Sequence, residues 1–122
     1  MVTVTGPIVL DSSSGSLVLS LDEEGVGGWC RVQLLVEGTG RPLGAERLKH
    51  IAEQLKSFLA DASPGRRWIF GLSELHTSAY GEHCPHETII DLQDGNAKWF
   101  ARLELTPDEK HAWMLKLSKH VM

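Results

Sequence analysis

The sequence has few cysteines and no long apolar run. Only Cys30 and Cys84 occur in 122 residues, a length that buries a core without disulfide or metal support. No apolar run approaches the roughly 20 residues of a membrane-spanning helix, and the start, MVTVTGPIVL, lacks the basic segment of a signal peptide. We therefore expect a cytoplasmic protein with no membrane partner. Its cysteines should be free thiols, although the sequence leaves a disulfide between them open.

Basic residues are also scarce. The chain has 16 acidic and 12 basic residues, a formal charge of −4. Arg66-Arg67 is the only adjacent basic pair, and the aromatic residues are not interleaved with basic runs. This balance argues against nucleic-acid binding. It is compatible with a basic protein partner.

A hairpin over Glu87–Leu105 is the clearest local pattern. Two apolar runs flank Asp94-Gly95-Asn96, whose residues tolerate the positive φ of a tight turn. The second run alternates, which places on one buried face Trp99, Ala101, Leu103 and Leu105. We expect two antiparallel strands at the centre of a sheet.

Apolar spacing predicts four further strands and a first helix. Strands are expected over residues 2–10, 16–21, 29–37 and 67–75, and a helix over about Ala45–Ala62. The order is β-β-β-α-β-β-β-α, with no internal sequence repeat. Hydrophobic (42%) and charged (23%) fractions are those of a globular protein. We predict a single domain over residues 1–122, of class α+β, with a mainly antiparallel sheet and two helices on one face in two layers.

The last helix has the strongest boundary signal. Thr106 suits the N-cap, Pro107 the first helical position, and Glu109 completes a capping box. Trp113 and Leu117 then form an apolar stripe.

The glycine-rich stretch Gly38–Gly44 follows a strand, as a dinucleotide-binding loop does. However, the third glycine position holds Leu43, Gly44 comes one residue late, and no parallel strand series surrounds the stretch. We interpret it as a turn that leads into the first helix.

The loop His76–His86 holds the densest group of metal-capable side chains, which are His76, His83, Cys84 and His86. Imidazole and thiolate groups bind zinc when four converge, but this group lacks a second paired half at zinc-finger spacing. A cysteine–histidine nucleophile pair at Cys84 is also conceivable, although no family motif brackets it. We interpret the loop as polar surface and expect neither catalytic residues nor a cofactor. A small metal- or ligand-binding protein is the alternative function.

All four tryptophans, Trp29, Trp68, Trp99 and Trp113, fall on predicted regular elements. Core packing is the expected role of such residues. Trp29 lies beside the acidic stretch Asp22–Glu24, so it can instead anchor a partner.

The order of features resembles WapI-type immunity proteins of bacterial polymorphic-toxin systems. The resemblance covers the chain from about Ser16 onward and lies in the strand Leu17–Leu21, the strand start Trp29-Cys30-Arg31-Val32, the helix Leu48–Leu59, the strands Phe70–Glu74 and Trp99–Leu105, and the closing helix. It is one of pattern, and the first strand and the loop His76–His86 have no counterpart in it.

The resemblance implies a non-enzymatic protein that binds a cognate toxin and neutralises it by stoichiometric occlusion. Many such toxins are basic nuclease domains, and an acidic inhibitor complements their charge. The candidate contacts in this chain are Asp22, Glu23, Glu24, Trp29, Glu82 and Glu87. A structural subunit that associates through a sheet edge is a third alternative, and the oligomeric state stays open.

Overall fold

Strands make up most of the described chain. The computed structural model describes residues 7–21, 28–60, 67–72 and 75–120. In chain order the elements within these ranges are β1 (Ile8–Ser12), β2 (Gly15–Leu21), β3 (Trp29–Val36), β4 (Thr39–Arg47), α1 (Leu48–Ala60), β5 (Arg67–Leu72), β6 (Thr77–His83), β7 (Thr88–Gln93), β8 (Trp99–Leu105) and α2 (Pro107–His120). The α+β class and the antiparallel pairing are confirmed. No described helix is long and apolar enough to cross a membrane.

The strands form two four-stranded antiparallel sheets, in the orders β1-β2-β3-β4 and β5-β6-β7-β8. Strands adjacent in the chain are adjacent in each sheet, as short connections favour. Each half of the chain is thus four strands followed by a helix, although the sequence shows no internal repeat. In detail the structure has two strands, β4 and β6, that the predicted order lacks. The predicted hairpin is present as β7 and β8, but β8 lies at the edge of its sheet and not at the centre. The predicted start of the first strand, residues 2–6, lies outside the described residues.

Strand β4 occupies the glycine-rich stretch that the sequence assigned to a helix entry. Glu37 and Gly38 have positive φ values of 50° and 79° and form the turn between β3 and β4. Pro42 is tolerated because β4 is the last strand of its sheet in the strand order, and an edge strand does not need every N–H. The helix α1 consequently begins at Leu48, three residues later than predicted.

Strand β6 lies inside the predicted loop His76–His86. Its buried positions alternate as Thr77, Ala79, Gly81 and His83. These side chains are small or polar, so the period of two is not visible as an apolar pattern. Strand β5 ends at Leu72 instead of Leu75, and Leu75 lies in the turn before β6.

The helix α1 explains why β6 carries a glycine. Helical spacing predicts an apolar stripe, and four of its residues are buried on α1: Ile51, Ala52, Leu55 and Leu59. Phe58, which the spacing did not select, is buried with them. A Cβ atom at Gly81 would lie 2.5 Å from the Phe58 ring, closer than van der Waals contact permits. The Phe58 ring stacks on Trp68 at 5.0 Å and on His83 at 4.6 Å between centroids. Only glycine at position 81 leaves room for this aromatic stack.

The predicted capping box of α2 is confirmed. The Thr106 N–H donates to Glu109 Oε1 (2.9 Å), and the Glu109 N–H donates to Thr106 Oγ1 (3.1 Å). The second carboxylate oxygen of Glu109 accepts from the Ser13 N–H at 2.7 Å. The start of α2 is therefore tied to the turn between β1 and β2.

Side chains also satisfy backbone groups at the sheet edges. Trp113 Nε1 donates to the Asp11 carbonyl and Lys116 Nζ donates to the Val9 carbonyl, both at 2.7 Å. The Ser14 hydroxyl contacts both backbone groups of Glu104 on β8, at 2.8 Å for N–H and 3.3 Å for C=O. These contacts pair groups that an edge strand otherwise leaves to water or to another chain.

One hydrophobic cluster contains buried residues from both sheets and both helices. Leu10 and Leu103, on β1 and β8, are fully buried in it, and Trp113 of α2 is 1% exposed. The helix α2 contacts α1, β1 and β8. The inner faces of the two sheets therefore share one core with the helices.

Replacement of Glu109 by alanine removes the bonds to Thr106 and Ser13 together. We expect the free energy of unfolding, measured by urea denaturation, to fall by about 1–3 kcal/mol, since caps and charged hydrogen bonds contribute on that scale. Asp108→Ala is the matched control: it removes another acid from the same helical turn and should cost at most about 1 kcal/mol. Equal losses in the two variants would show that helix-dipole charge, not the bonds of Glu109, stabilises this corner.

Candidate partner-binding face on the second sheet

One side of the sheet β5–β8 faces away from the hydrophobic cluster. The strand register aligns a row of residues across all four strands, which are Ile69, Tyr80, Asp91 and Arg102. Trp99 lies in the adjoining row. Ile69 is 63% exposed and Trp99 is 58% exposed. We call the surface defined by these five residues the outer face.

Trp99 was predicted to lie in the core, and that prediction is wrong. Leu92 pairs with Ala101 and Gln93 pairs with Trp99, so Phe100 is an extra residue on β8. Such a β-bulge reverses the alternation of side chains. Phe100 packs against the core instead, and Trp99 turns to the outer face.

The other tryptophans divide by environment. Trp113 is buried and Trp68 packs partly buried against the core, which confirms both predictions. Trp29, at the start of β3, is 37% exposed, so its environment permits the partner-anchoring role that the sequence left open.

Tyr80 and Trp99 form an aromatic pair whose surroundings hold it in place. Their ring centroids are 5.0 Å apart and the ring planes meet at 65°, an edge-to-face contact. The Tyr80 hydroxyl donates to Gln93 Oε1 at 3.2 Å, and Gln93 Nε2 donates to the Ala97 carbonyl at 3.2 Å. Two successive hydrogen bonds thus join the Tyr80 side chain to the turn that precedes Trp99.

The turn between β7 and β8 is fixed by Asp94. Its Oδ1 atom accepts from the N–H groups of Asn96 (2.9 Å) and Lys98 (3.0 Å). The bond from the Lys98 N–H is the main reason that the pKa of Asp94 lies below its usual value. The positive φ of this turn, 62°, falls on Ala97 and not on the Asp-Gly-Asn residues that the sequence indicated.

Asp91 and Arg102 form a bidentate ion pair on the outer face. Arg102 Nε donates to Asp91 Oδ1 at 2.7 Å and Arg102 Nη2 donates to Asp91 Oδ2 at 3.1 Å. The hydrogen bond and the charge of Asp91 raise the pKa of Arg102. Because both carboxylate oxygens are engaged, the guanidinium plane has a defined orientation.

Two adjoining surface clefts lie beside Trp99 and Asp91. One, of about 280 Å³, is lined by Tyr80, Gly81, Glu82, Asp91 and Trp99. The other, of about 360 Å³, is lined by Asp91, Trp99, Ala101 and Arg102. Trp99 therefore borders a cleft with two carboxylates and a cleft with the paired guanidinium.

The structure separates the residues that the sequence proposed as toxin contacts. Glu82 is exposed and lines the first cleft, so it joins the outer face. Glu87 is half-buried in the short connection before β7. Trp29 is on the other sheet, opposite Arg47. Asp22, Glu23 and Glu24 lie outside the described residues.

The outer face was not predicted from the sequence, although the sequence contains part of the pattern that indicates it. Alternation in the predicted hairpin puts Asp91 and Arg102 on the polar side, away from Leu103. Pairing the two strands brings these two residues opposite each other. Tyr80 was hidden in the predicted loop. The exposure of Trp99 depends on the bulge, which no residue type in β8 indicates.

His83, a candidate metal ligand, has both ring nitrogens in internal hydrogen bonds. Nε2 lies 2.7 Å from the Phe58 carbonyl and Nδ1 lies 3.0 Å from Thr88 Oγ1. A carbonyl only accepts, so Nε2 carries a proton. Phe58 is in the last turn of α1, where carbonyls lack helical partners, and no basic residue of that turn is available. His83 therefore caps α1 from a neighbouring strand.

The other three metal candidates occupy the turns at the two ends of β6. His76 and His86 are exposed, and Cys84 is half-buried. The Cys84 N–H donates to the Glu87 carbonyl at 2.8 Å, which closes the turn to β7. Among the described residues, no group of three or more histidine, cysteine or acidic side chains is placed to hold a metal ion.

The two cysteines are free and differ in environment. Cys30 is fully buried in the core. Burial first, and then the charge of Glu46, raise the pKa of its thiol from 9.0 to about 11. Cys30 therefore stays protonated at neutral pH and is not available as a nucleophile.

Comparisons with family models and with curated proteins do not identify this site. No protein-family model matches the chain, and no curated protein matches it either.

The different burial of the two cysteines predicts that their thiols react at different rates. At pH 8, the aromatic disulfide DTNB should modify one thiol rapidly in the native protein, and the second only after unfolding, because Cys30 is buried and its pKa is raised. Cys84→Ser should remove the rapid phase. Two rapid thiols in the native protein would contradict the burial of Cys30.

The positive φ of Ala97 predicts that glycine at this position stabilises the protein. A left-handed conformation costs a residue with a Cβ about 1–2 kcal/mol, so Ala97→Gly should raise the free energy of unfolding by about 1 kcal/mol. The same change at Ala112, which is exposed in α2, should lower it by about 1 kcal/mol. Urea denaturation of both variants measures the two signs, and destabilisation by Ala97→Gly would disprove the left-handed turn.

Proposed function

We propose that this protein binds a partner protein through the outer face and neutralises it by occlusion, in the manner of WapI-type immunity proteins. The observation that carries the proposal is a surface cluster in which half-buried Tyr80 lies with exposed Trp99 and Arg102. Hydrogen bonds join Tyr80 to Gln93 and Arg102 to Asp91, and Trp99 contacts the Tyr80 ring.

The composition of the outer face supports a protein partner. Tryptophan, tyrosine and arginine are the residue types most enriched among interface residues that dominate binding energy. Here they lie side by side, with Ile69 as a further exposed apolar contact. Isolated exposed apolar residues are common on proteins, whereas a cluster of these types is characteristic of an interaction site.

The rigidity of the cluster supports the same proposal. Ordering a flexible side chain at an interface costs about 0.5–1.5 kcal/mol. The bonds from Tyr80 to Gln93 and from Arg102 to Asp91 fix these side chains in the free protein. A partner that docks on them therefore loses little affinity to ordering.

Charge supports a basic partner. Glu82, Asp91 and Glu104 supply three carboxylates on this side of the sheet, and Arg102 is paired with one of them. The whole chain carries a formal charge of −4. Complementary charge accelerates association and selects the partner. A cognate toxin with a basic nuclease domain, met in the cytoplasm, is the partner that this surface and the resemblance together favour.

The test uses the full chain to recover a partner from its native host and then measures the purified pair by titration calorimetry. We expect a 1:1 complex and relief of the partner's toxicity on co-expression. Trp99→Ala and Arg102→Ala should each weaken binding about 10- to 100-fold, as interface residues of this kind do.

Leu115→Ala is the matched control, because Leu115 is a comparably exposed apolar residue (54%) on α2. It should leave the affinity within about twofold. Retention of full affinity by Trp99→Ala, or failure of the complex to relieve toxicity, would contradict the proposal.

A further inference from the structure

The cleft lined by Tyr80 and Trp99 has a composition suited to one kind of side chain. Two aromatic rings in edge-to-face contact line it, and its polar lining includes the carboxylates of Glu82 and Asp91. Aromatic faces attract cations, and carboxylates attract them further. Apolar or anionic side chains gain neither interaction.

We propose that this cleft accepts the guanidinium group of an arginine on the partner protein. The inference rests on the proposed function for the source of the arginine, and it adds which side chain is recognised and by which residues.

The volume and the carboxylates fit a guanidinium. A cleft of about 280 Å³ holds the planar group and part of its aliphatic stem. Asp91 is already bonded through both oxygens to Arg102, so Glu82 is the carboxylate that receives the incoming group. A guanidinium can stack on one ring while its N–H fork faces this carboxylate, which a lysine ammonium cannot do.

The pocket floor also favours a flat group. Gly81 lines the cleft between Tyr80 and Glu82 through its backbone, because a Cβ atom at this position would point to Phe58 on the core side of the sheet. The aromatic stack beneath β6 requires glycine at this position. The floor of the cleft at this position is therefore backbone, against which a planar group can lie.

The test titrates the full-length protein with N-acetyl-arginine amide and follows the Trp99 and Tyr80 side-chain signals by NMR. The neutral citrulline analogue has nearly the same shape, and N-acetyl-lysine amide carries an ammonium. We expect saturable binding of the arginine probe and at least about threefold weaker binding of the other two, as exposed cation–π and charge contacts allow.

Variants assign the binding to the cleft. Glu82→Gln and Trp99→Leu should each weaken binding of the arginine probe about three- to tenfold. Glu104→Gln is the matched control, since Glu104 is exposed on the same side of the sheet but does not line the cleft. Every variant retains Arg67, which is paired with Glu82 in the register of β5 and β6. Circular dichroism and urea denaturation verify that each variant is folded.

Three results would overturn the assignment. Equal binding of the citrulline probe excludes a charge-dependent site, equal binding of the lysine probe excludes guanidinium selectivity, and equal weakening by Glu104→Gln shows general charge attraction. These results leave the proposed function standing if the partner still requires Trp99. Conversely, a cleft that binds the arginine probe while the partner ignores Trp99 refutes the proposed function alone.

Discussion

The unpaired edges of β1 and β8 are the constraint on which the arrangement depends. An open sheet must satisfy or cover the backbone groups of its outermost strands. Here Trp113 and Lys116 donate to carbonyls two residues apart on β1, and Ser14 pairs with the backbone of β8. Because these donors come from the far end of the chain or from the opposite sheet, satisfying the edges also brings the two halves together.

That constraint determines which surface stays exposed. The helix α2 contacts α1, β1 and β8, and the inner faces of both sheets enter one core. The side of β5–β8 opposite the core is consequently exposed. Its residues do not have to fill a cavity, so core packing does not determine their types. The bulge in β8 adds Trp99 to this surface, where strict alternation would have buried it.

The sequence predicted the elements whose chemistry is local. The strand predicted over residues 16–21, the first helix and the capping box at Thr106 depend on residues close in the chain, and all three appear in the structure. Strand β6 could not be predicted in this way, because its buried positions are small or polar to accommodate Phe58 and to place His83 at the end of α1. These reasons belong to tertiary packing and leave no periodic signal in the chain.

The outer face contributes little to stability, and this favours a role in binding. A surface ion pair such as Asp91–Arg102 is worth about 0–1 kcal/mol, and Trp99 keeps 58% of its surface in water. An exposed tryptophan and an exposed isoleucine on the same face of a sheet promote unwanted association. Folding therefore gains little from holding Trp99 and Tyr80 in fixed positions, whereas a binding surface gains affinity from every side chain that is ordered before the partner arrives.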